Sequence, residues 1–354
     1  MNKRIEKFKQ LMHRNNIHNF IITNPFNLNY FANFHGLDGD GCMVITDNEQ
    51  VLITDSRYEL EMQDKLPNDV KLKITRDYYG TAATYLKNTA YEIGFEDSLS
   101  FQIYQTLNKL LPNRLVSKTN LVEILRDTKD ENEISILEHS AKLASQAYEA
   151  MLQYVHAGLT EREVSLFLYD FMLRHGAQKP SFDTIVASGY RSALPHGDAT
   201  DKKIENGELV TVDFGFYYQD YTSDMTRTFA VGDPGQELKD AYQVVLDAQN
   251  KMIDAMTDSA DGKEVDAAAR DYITDKGYGE YFGHGSGHSI GLDIHETPIL
   301  GSNTKDKIYE NYVMTAEPGI YLPGKGGIRI EDDVLVQKNG HKVLTTAPKE
   351  IIIL

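Results

Sequence analysis

Acidic residues recur in the second half of the chain where strand-forming sequence leaves little room for them. In ELVTVDFGFYYQDYTSDMTRTF, Asp213 interrupts an apolar run and Asp224 follows on the far side of a polar stretch. A hairpin with a two-residue turn at Tyr218-Gln219 pairs position 217 with 220. It sets Asp213 opposite Asp224, with Cβ atoms ~4.5–5.5 Å apart. Two facing carboxylates repel, and a cation between them removes the repulsion. The same count applies to YVMTAEPGIYLPGKGGIRIEDDVLV. Its Pro323-Gly324-Lys325-Gly326-Gly327 segment is a turn by composition, and folding about Gly324 sets Glu317 opposite Glu331. One such pair is most simply a coincidence on a solvated face. Two pairs, each in otherwise apolar strands, argue for a site.

Histidines supply the other ingredient. EYFGHGSGHSIGLDIHETP holds His284, His288 and His295 among glycines that let the backbone approach closely. The spacing of His288 and His295 suits one face of a helix, but the glycines oppose a helix, so spacing leaves the individual roles open. Four carboxylates and one imidazole would neutralise two divalent ions. An oxygen-rich set with a single nitrogen suits Mn²⁺, with Co²⁺ or Zn²⁺ as alternatives. Two metals ~3.5–4 Å apart can share a hydroxide, generate a nucleophile at neutral pH and polarise a carbonyl. The expected chemistry is metal-assisted hydrolysis.

The elements that must hold these residues follow from capping and periodicity. Asp130 with Glu133 predicts a capping box opening a long helix that runs to Val155 and stops at Gly158. Thr160 with Glu163 predicts a second, whose Val164, Phe167, Leu168, Phe171 and Met172 share one face before Gly176. Third and fourth helices are expected over 235–256 and 263–276. Strand-like segments follow each helical pair, which suggests an internal duplication without a fixed period. Ahead of this, residues 1 to about 120 alternate in an α/β pattern: a helix over 4–15, strands at NFIIT, CMVIT, VLITD and YEIGFE, and a helix over 81–89. Little there resembles chemistry. The expected division is 1–125 and 126–354.

The ordered set VDFG (Asp213), SDMTR (Asp224), GHSIG (His288), IHE (His295), AEPG (Glu317) and RIED (Glu331) resembles the pita-bread metallopeptidases. These include Xaa-Pro aminopeptidase, prolidase, methionine aminopeptidase and creatinase. NYFANFHG and LITDSRYELE resemble the creatinase/prolidase N-terminal domain, which methionine aminopeptidases usually lack. The implied fold is α+β, a creatinase-like N-terminal α/β domain followed by a pita-bread catalytic domain. The resemblance implies that Asp213, Asp224, His288, Glu317 and Glu331 are metal ligands, with Asp224 and Glu331 bridging. His196, in LPHGDAT, matches a histidine that contacts substrate. His295 matches one that steadies the tetrahedral intermediate and helps a proton reach the leaving proline nitrogen. Glu317 also matches the general base. His284, Tyr321 and Arg329 match positions around the proline pocket or behind the ligands. The implied activity is hydrolysis of the bond before proline in dipeptides or short peptides by a homodimer. Such a bond is a tertiary amide, restricted on both sides, so a dedicated pocket is useful. One departure stands out: Ser289 replaces a glycine of the common GHGIG. Creatinase keeps the fold without the ligands, and the full set here argues against a creatinase-like role.

Three other readings fit parts of the chain. Gly287-His288-Ser289-Ile290-Gly291 also fits G-x-S-x-G, but no apolar strand precedes it as a serine hydrolase's nucleophile elbow requires. A non-catalytic metal-binding scaffold has no need of His196 and His295. A methionine aminopeptidase-like enzyme fits the second half but not the first.

Bulk properties exclude other classes. The 354 residues carry 36 basic and 53 acidic side chains, a formal charge of −17, which disfavours nucleic acid and anionic membrane as partners. Cys42 stands alone, so neither an intrachain disulfide nor a cysteine-based zinc site is expected. The first sixteen residues are charged and amphipathic, unlike a signal peptide, and no apolar run nears the ~20 residues of a membrane span. The expected compartment is cytoplasmic.

Overall fold

Residues 3–88 and 91–354 are described in a computed structural model of the chain. It divides into two units, Met1–Arg126 and Asp127–Leu354.

The first unit is built on one mixed sheet. Strands β1 (Asn19–Ile22), β2 (Gly41–Thr46), β3 (Gln50–Thr54), β4 (Lys71–Ile74), β5 (Ile93–Glu96) and β6 (Leu115–Lys118) lie in the order β4-β3-β2-β1-β5-β6. β1, β2 and β3 are antiparallel neighbours, whereas β5 joins β1 and β4 joins β3 in parallel. Successive strand residues point to opposite faces. Phe20 packs edge-on against Phe8 of helix α1 (Lys3–Arg14), and Phe8 also meets Phe31 of α2 (Pro25–Ala32). Ile21 faces the other way, into a cluster with Val44, Ile53, Ala82, Leu86 and Leu107. Both faces are thus covered at the central strands β1, β2 and β3, which read as near-continuous apolar runs, whereas the edge strands β4 (KLKI) and β6 (LVSK) do not. The helix expected over 81–89 runs Tyr78–Leu86, and Thr89 lies outside the described residues. Cys42 is buried in this unit, where loss of solvation pushes its thiol up to about 12.

The second unit holds two helix pairs, each against its own antiparallel sheet. The first pair is α3 (Glu131–Leu152) and α4 (Glu161–Arg174), both opened by capping boxes at Asp130/Glu133 and Thr160/Glu163. Leu143, Ala147, Met151, Leu168 and Met172 pack on Val186, Val210, Val212 and Phe229 of a three-stranded sheet. That sheet comprises β7 (Ile185–Ser188), β8 (Glu208–Phe214) and β9 (Met225–Val231), with β8 central. The second pair, α5 (Gln236–Ala255) and α6 (Gly262–Asp275), buries Tyr242, Val245, Met252, Val265 and Ala269 against Met314, Ala316, Val334 and Val336. Those four sit in a five-stranded sheet that includes β10 (Gly287–Ser289), β11 (Glu296–Leu300), β12 (Val313–Ala316) and β13 (Asp332–Gln337). Each half repeats the order of two helices and then strands, as the sequence pattern suggests.

The hairpin registers differ from expectation in one case. Gly319–Leu322 pairs with Gly326–Arg329, with Gly319 opposite Arg329, and Ala316 lies opposite Asp332 further along. The same count sets Glu317 opposite Glu331 in the gap between these ladders, as expected. The other hairpin is corrected: Asp213 stands opposite Thr226, not Asp224. Its two-residue turn is Gln219-Asp220, both with positive φ (48° and 72°), closed by paired Tyr218 and Tyr221. The shift of one residue in the turn moves each partner by two. Because the side-chain period is two, Asp224 stays on the face of Asp213 as a diagonal neighbour.

Candidate metal centre

The centre assembles where the two sheets of the second unit present their carboxylates to one cavity of about 940 Å³. Asp213 is the penultimate residue of β8, and Asp224 immediately precedes β9. His288 is on β10, where the register with β11 shifts between His288 and Ser289. Glu317 and Glu331 flank the second hairpin. Ligand atoms of Asp224, His288 and Glu331 all lie within 4.8 Å of one another. His288 Nε2 is 3.6 Å from both an Asp224 oxygen and a Glu317 oxygen.

The protonation pattern of these groups follows from burial and from their charges on one another. His288 Nδ1 lies 3.1 Å from the Ser289 carbonyl, so Nδ1 carries the hydrogen and the bare Nε2 faces the carboxylates. Burial, then the neighbouring His295, lowers the His288 pKa to about 4, which keeps the ring neutral. Burial, followed by the charge of Glu331, raises the Asp224 pKa well above the usual carboxylate range. Burial and the charge of Glu317 do the same to Glu331, and burial pushes Glu317 up to about 8. Asp213 Oδ1 is buried with no hydrogen-bond partner. Carboxylates, a bare imidazole nitrogen and an orphaned oxygen converging in low dielectric form a donor set that a divalent cation satisfies. The residues present fit a metal.

Supporting contacts hold the set in place. The Thr226 hydroxyl donates to Glu331 Oε2 (2.7 Å) and accepts from Arg329 Nε (3.1 Å). Arg329 also donates to Asp213 Oδ2 (2.6 Å) and to the Tyr321 hydroxyl (2.8 Å). That hydroxyl therefore donates onward to His284 Nε2 (2.8 Å), and His284 Nδ1 donates to the Gly285 carbonyl (2.6 Å). His284 is the neutral Nδ1–H tautomer, its pKa lowered to about 4 by burial. Arg270 pairs with Asp266 on α6 and caps the carbonyls of Phe282 and His284, which fixes the His284 loop. Arg227, fully buried, binds Asp332 and the Ala347 and Pro348 carbonyls beside Glu331.

Two family comparisons cover nearly the whole chain. Residues 135–338 match metallopeptidase family M24, and residues 4–128 match the creatinase/prolidase N-terminal domain. The chain belongs to metallopeptidase family M24. Among relatives of this M24 chain, the Xaa-Pro dipeptidase of Pyrococcus furiosus is 38% identical, over 99% of this chain and 100% of its own. A solved Xaa-Pro dipeptidase from Bacillus anthracis is 41% identical, with a TM-score of 0.95 and 99% of each chain covered. An X-Pro aminopeptidase from Thermotoga maritima superimposes with a TM-score of 0.89 at 35% identity, covering 98% of this chain and 100% of its own. The fold is a creatinase N-terminal domain followed by a pita-bread catalytic domain, and the M24 family implies divalent metal.

All ten residues singled out in the sequence line the one cavity: Asp213, Asp224, His288, Glu317, Glu331, His196, His284, His295, Tyr321 and Arg329. His196 and His295 are exposed to it, and the His295 ring meets His288 edge-on at 4.6 Å. Sequence reasoning missed Thr226, Arg270 and Arg227. Thr226 and Arg227 lie within the quoted SDMTR run without a role assigned to them, and Arg270 left a signal through its i,i+4 partner Asp266. Ser289 is fully buried and absent from the cavity wall. Its hydroxyl donates to the Val313 carbonyl (3.2 Å) and accepts from the buried Lys129 ammonium (3.1 Å), which also pairs with Glu296. This accounts for serine in place of glycine and removes the serine-nucleophile reading.

Proposed function

We propose that the M24 unit is a two-metal peptidase that hydrolyses the bond before proline in dipeptides and short peptides. Asp213, Asp224, His288, Glu317 and Glu331 would hold the ions, Mn²⁺ in the first place and Co²⁺ or Zn²⁺ as alternatives. The observation that carries the reading is the convergence of the bare His288 nitrogen with buried, mutually repelling carboxylates on one cavity wall. The Xaa-Pro activity named for the relatives supports the proline preference. Phe182, Pro195 and Ile299 in the same wall offer apolar surface suited to a pyrrolidine ring.

Bound ions would activate water at neutral pH and polarise the scissile carbonyl. This chain's own residues do the rest. Glu317, 3.6 Å from His288 Nε2 in the cavity wall, accepts the proton of the attacking water. His196 and His295, exposed in the cavity, contact the peptide, and His295 steadies the tetrahedral intermediate while a proton reaches the proline nitrogen. Arg329 pins Asp213 and, through Tyr321, orients neutral His284 at the pocket. The homodimer and the cytoplasmic setting belong to the same reading.

A panel with Mn²⁺ tests it: Xaa-Pro dipeptides, Xaa-Pro-Yaa tripeptides and Met-Ala-Ser. Cleavage of the proline substrates is expected. Cleavage of Met-Ala-Ser alone would replace the proline reading by a methionine aminopeptidase, and no cleavage of any would leave a metal-binding scaffold.

A further inference from the structure

The first unit carries a second convergence of metal-capable side chains, built by local geometry. His13 lies in the last turn of α1. The chain then reverses through Asn16, at φ 56°, whose N–H donates to the His13 carbonyl (3.0 Å) while that of Ile17 donates to Met12 (2.9 Å). This tight exit sets His13 and His18 with ring centroids 5.0 Å apart. Asn19 pairs with Thr46 in the β1–β2 ladder, so the register continued by one residue sets His18 beside Asp47. Asp47 sits on the β2–β3 turn, which the Thr46 hydroxyl fastens by accepting from the N–H groups of Asn48 (3.3 Å) and Glu49 (3.1 Å). The His18 ring is held by stacking on Tyr91, with centroids 4.0 Å apart.

The result is two imidazoles on one carboxylate. His13 Nε2 is 2.6 Å from Asp47 Oδ1, and His18 Nδ1 is 2.9 Å from Asp47 Oδ2. One ligand atom from each residue falls within 4.8 Å of the other two. The side chains keep 49%, 29% and 41% of their surface, so an ion and its remaining water can enter from solvent.

We propose that His13, His18 and Asp47 bind one late first-row divalent cation, Zn²⁺ in the first place, as a site additional to the carboxylate centre. Two nitrogens and one oxygen suit Zn²⁺, whereas the four-carboxylate, one-imidazole set of the second unit suits a harder ion. Three protein ligands and one water complete a tetrahedron. Neighbouring donors in such a shell, at bonds of ~2.0 Å, are about 3.3 Å apart, so from the present 2.6 and 2.9 Å the His13 imidazole must retreat from Asp47 by about 0.7 Å and the His18 imidazole by about 0.4 Å. The proton now on each ligating nitrogen moves to the other ring nitrogen, His13 Nδ1 and His18 Nε2. A neutral imidazole therefore ligates without net proton loss. The C-terminal end of α1 favours positive charge at His13. Lys9 opposes it, but its ammonium bonds the Asp47 carbonyl (3.2 Å) and Gln50 (3.1 Å) and leaves the carboxylate to the histidines. A bound ion would fasten the end of α1 to β1 and to the β2–β3 turn.

The test uses the full-length protein stripped with chelator and titrated with ZnCl₂. Zinc retained after gel filtration is measured by mass spectrometry, and the imidazole ¹H–¹⁵N resonances are followed in parallel. Wild type should retain one equivalent more than His13→Gln/His18→Gln, and more than Asp47→Asn, which guards against a misfolded double variant. Asp224→Asn/Glu331→Gln should keep the extra equivalent, with His13 and His18 resonances shifting as in wild type. Equal zinc content in wild type and both first-unit variants, with unmoved His13 and His18 resonances, would overturn the proposal and leave a hydrogen-bonded triad.

Discussion

The hairpin bearing Asp213 and Asp224 turns at Gln219-Asp220, and the hairpin bearing Glu317 and Glu331 turns at Pro323-Gly324-Lys325. The second announces its own geometry. Proline presets φ at the first turn position, glycine takes φ 75° at the next, and Lys325 N–H closes the turn on the Leu322 carbonyl (3.0 Å). The first offers neither residue. Gln219 and Asp220 both adopt left-handed backbone that asparagine or glycine would take more readily, so composition misplaces the turn by one position. The carboxylates still reach the same cavity, because a shift of two partners preserves the face. For a site lined by one face of a hairpin, parity matters more than register.

Substitutions in the two hairpins should have effects of graded size. The largest effect is expected from removing one carboxylate of either hairpin. Asp224→Asn and Glu331→Gln should each lower kcat/KM by on the order of 10³ or more, since losing several kcal/mol of charge stabilisation corresponds to that factor. Chelator should do the same to wild type, with recovery on Mn²⁺. In the metal-free state these two variants should melt no lower than wild type, because each replaces a buried carboxyl group whose ionisation burial and its acidic neighbours already disfavour. A marked fall in metal-free Tm would contradict the repulsion assigned to the cluster.

Next is the residue that bolts one hairpin to the other. Thr226→Val removes the hydroxyl between Glu331 and Arg329 while keeping shape. Metal affinity, read by competition with a chelating dye, should fall about 10- to 100-fold, with Thr226→Ser restoring it. Unchanged affinity would mean that Glu331 is positioned by its own strand alone.

The turns themselves should respond in opposite directions. Gly324→Ala places a Cβ at φ 75° and should destabilise the protein by about 1 kcal/mol, seen as a Tm fall of roughly 2–4 °C. Gln219→Asn, the smallest effect, should raise Tm by about a degree by relaxing the left-handed position, and leave kcat/KM unchanged. A loss of activity in Gln219→Asn would show that the slipped register itself is functional.

Much of the architecture was legible because it rests on local rules. Asp130/Glu133 and Thr160/Glu163 are capping boxes in the structure as in the sequence. The third and fourth helices fall at Gln236–Ala255 and Gly262–Asp275, close to the ranges their periodicity predicts. The supporting contacts were not legible. Thr226 sits inside the SDMTR run, but that run assigns it no role, since its hydroxyl gains meaning only when Glu331, 105 positions away, arrives beside it. Arg227 likewise reads as an ordinary strand residue until Asp332 and the Ala347 carbonyl enclose it. His13, His18 and Asp47 drew no notice because two short turns, not any motif, bring them together.

The sequence by itself determined which residue types face the cavity. Alternation on a strand sets the face, and an acidic residue in an apolar strand is unfavourable unless something compensates it. Tertiary structure decided the donor geometry: the Nδ1–H tautomer that leaves His288 Nε2 bare, the Thr226 and Arg329 contacts that join both carboxylate pairs, and the burial of Ser289 against Lys129. These depend on which distant segments approach within hydrogen-bonding distance, and no local rule encodes that approach.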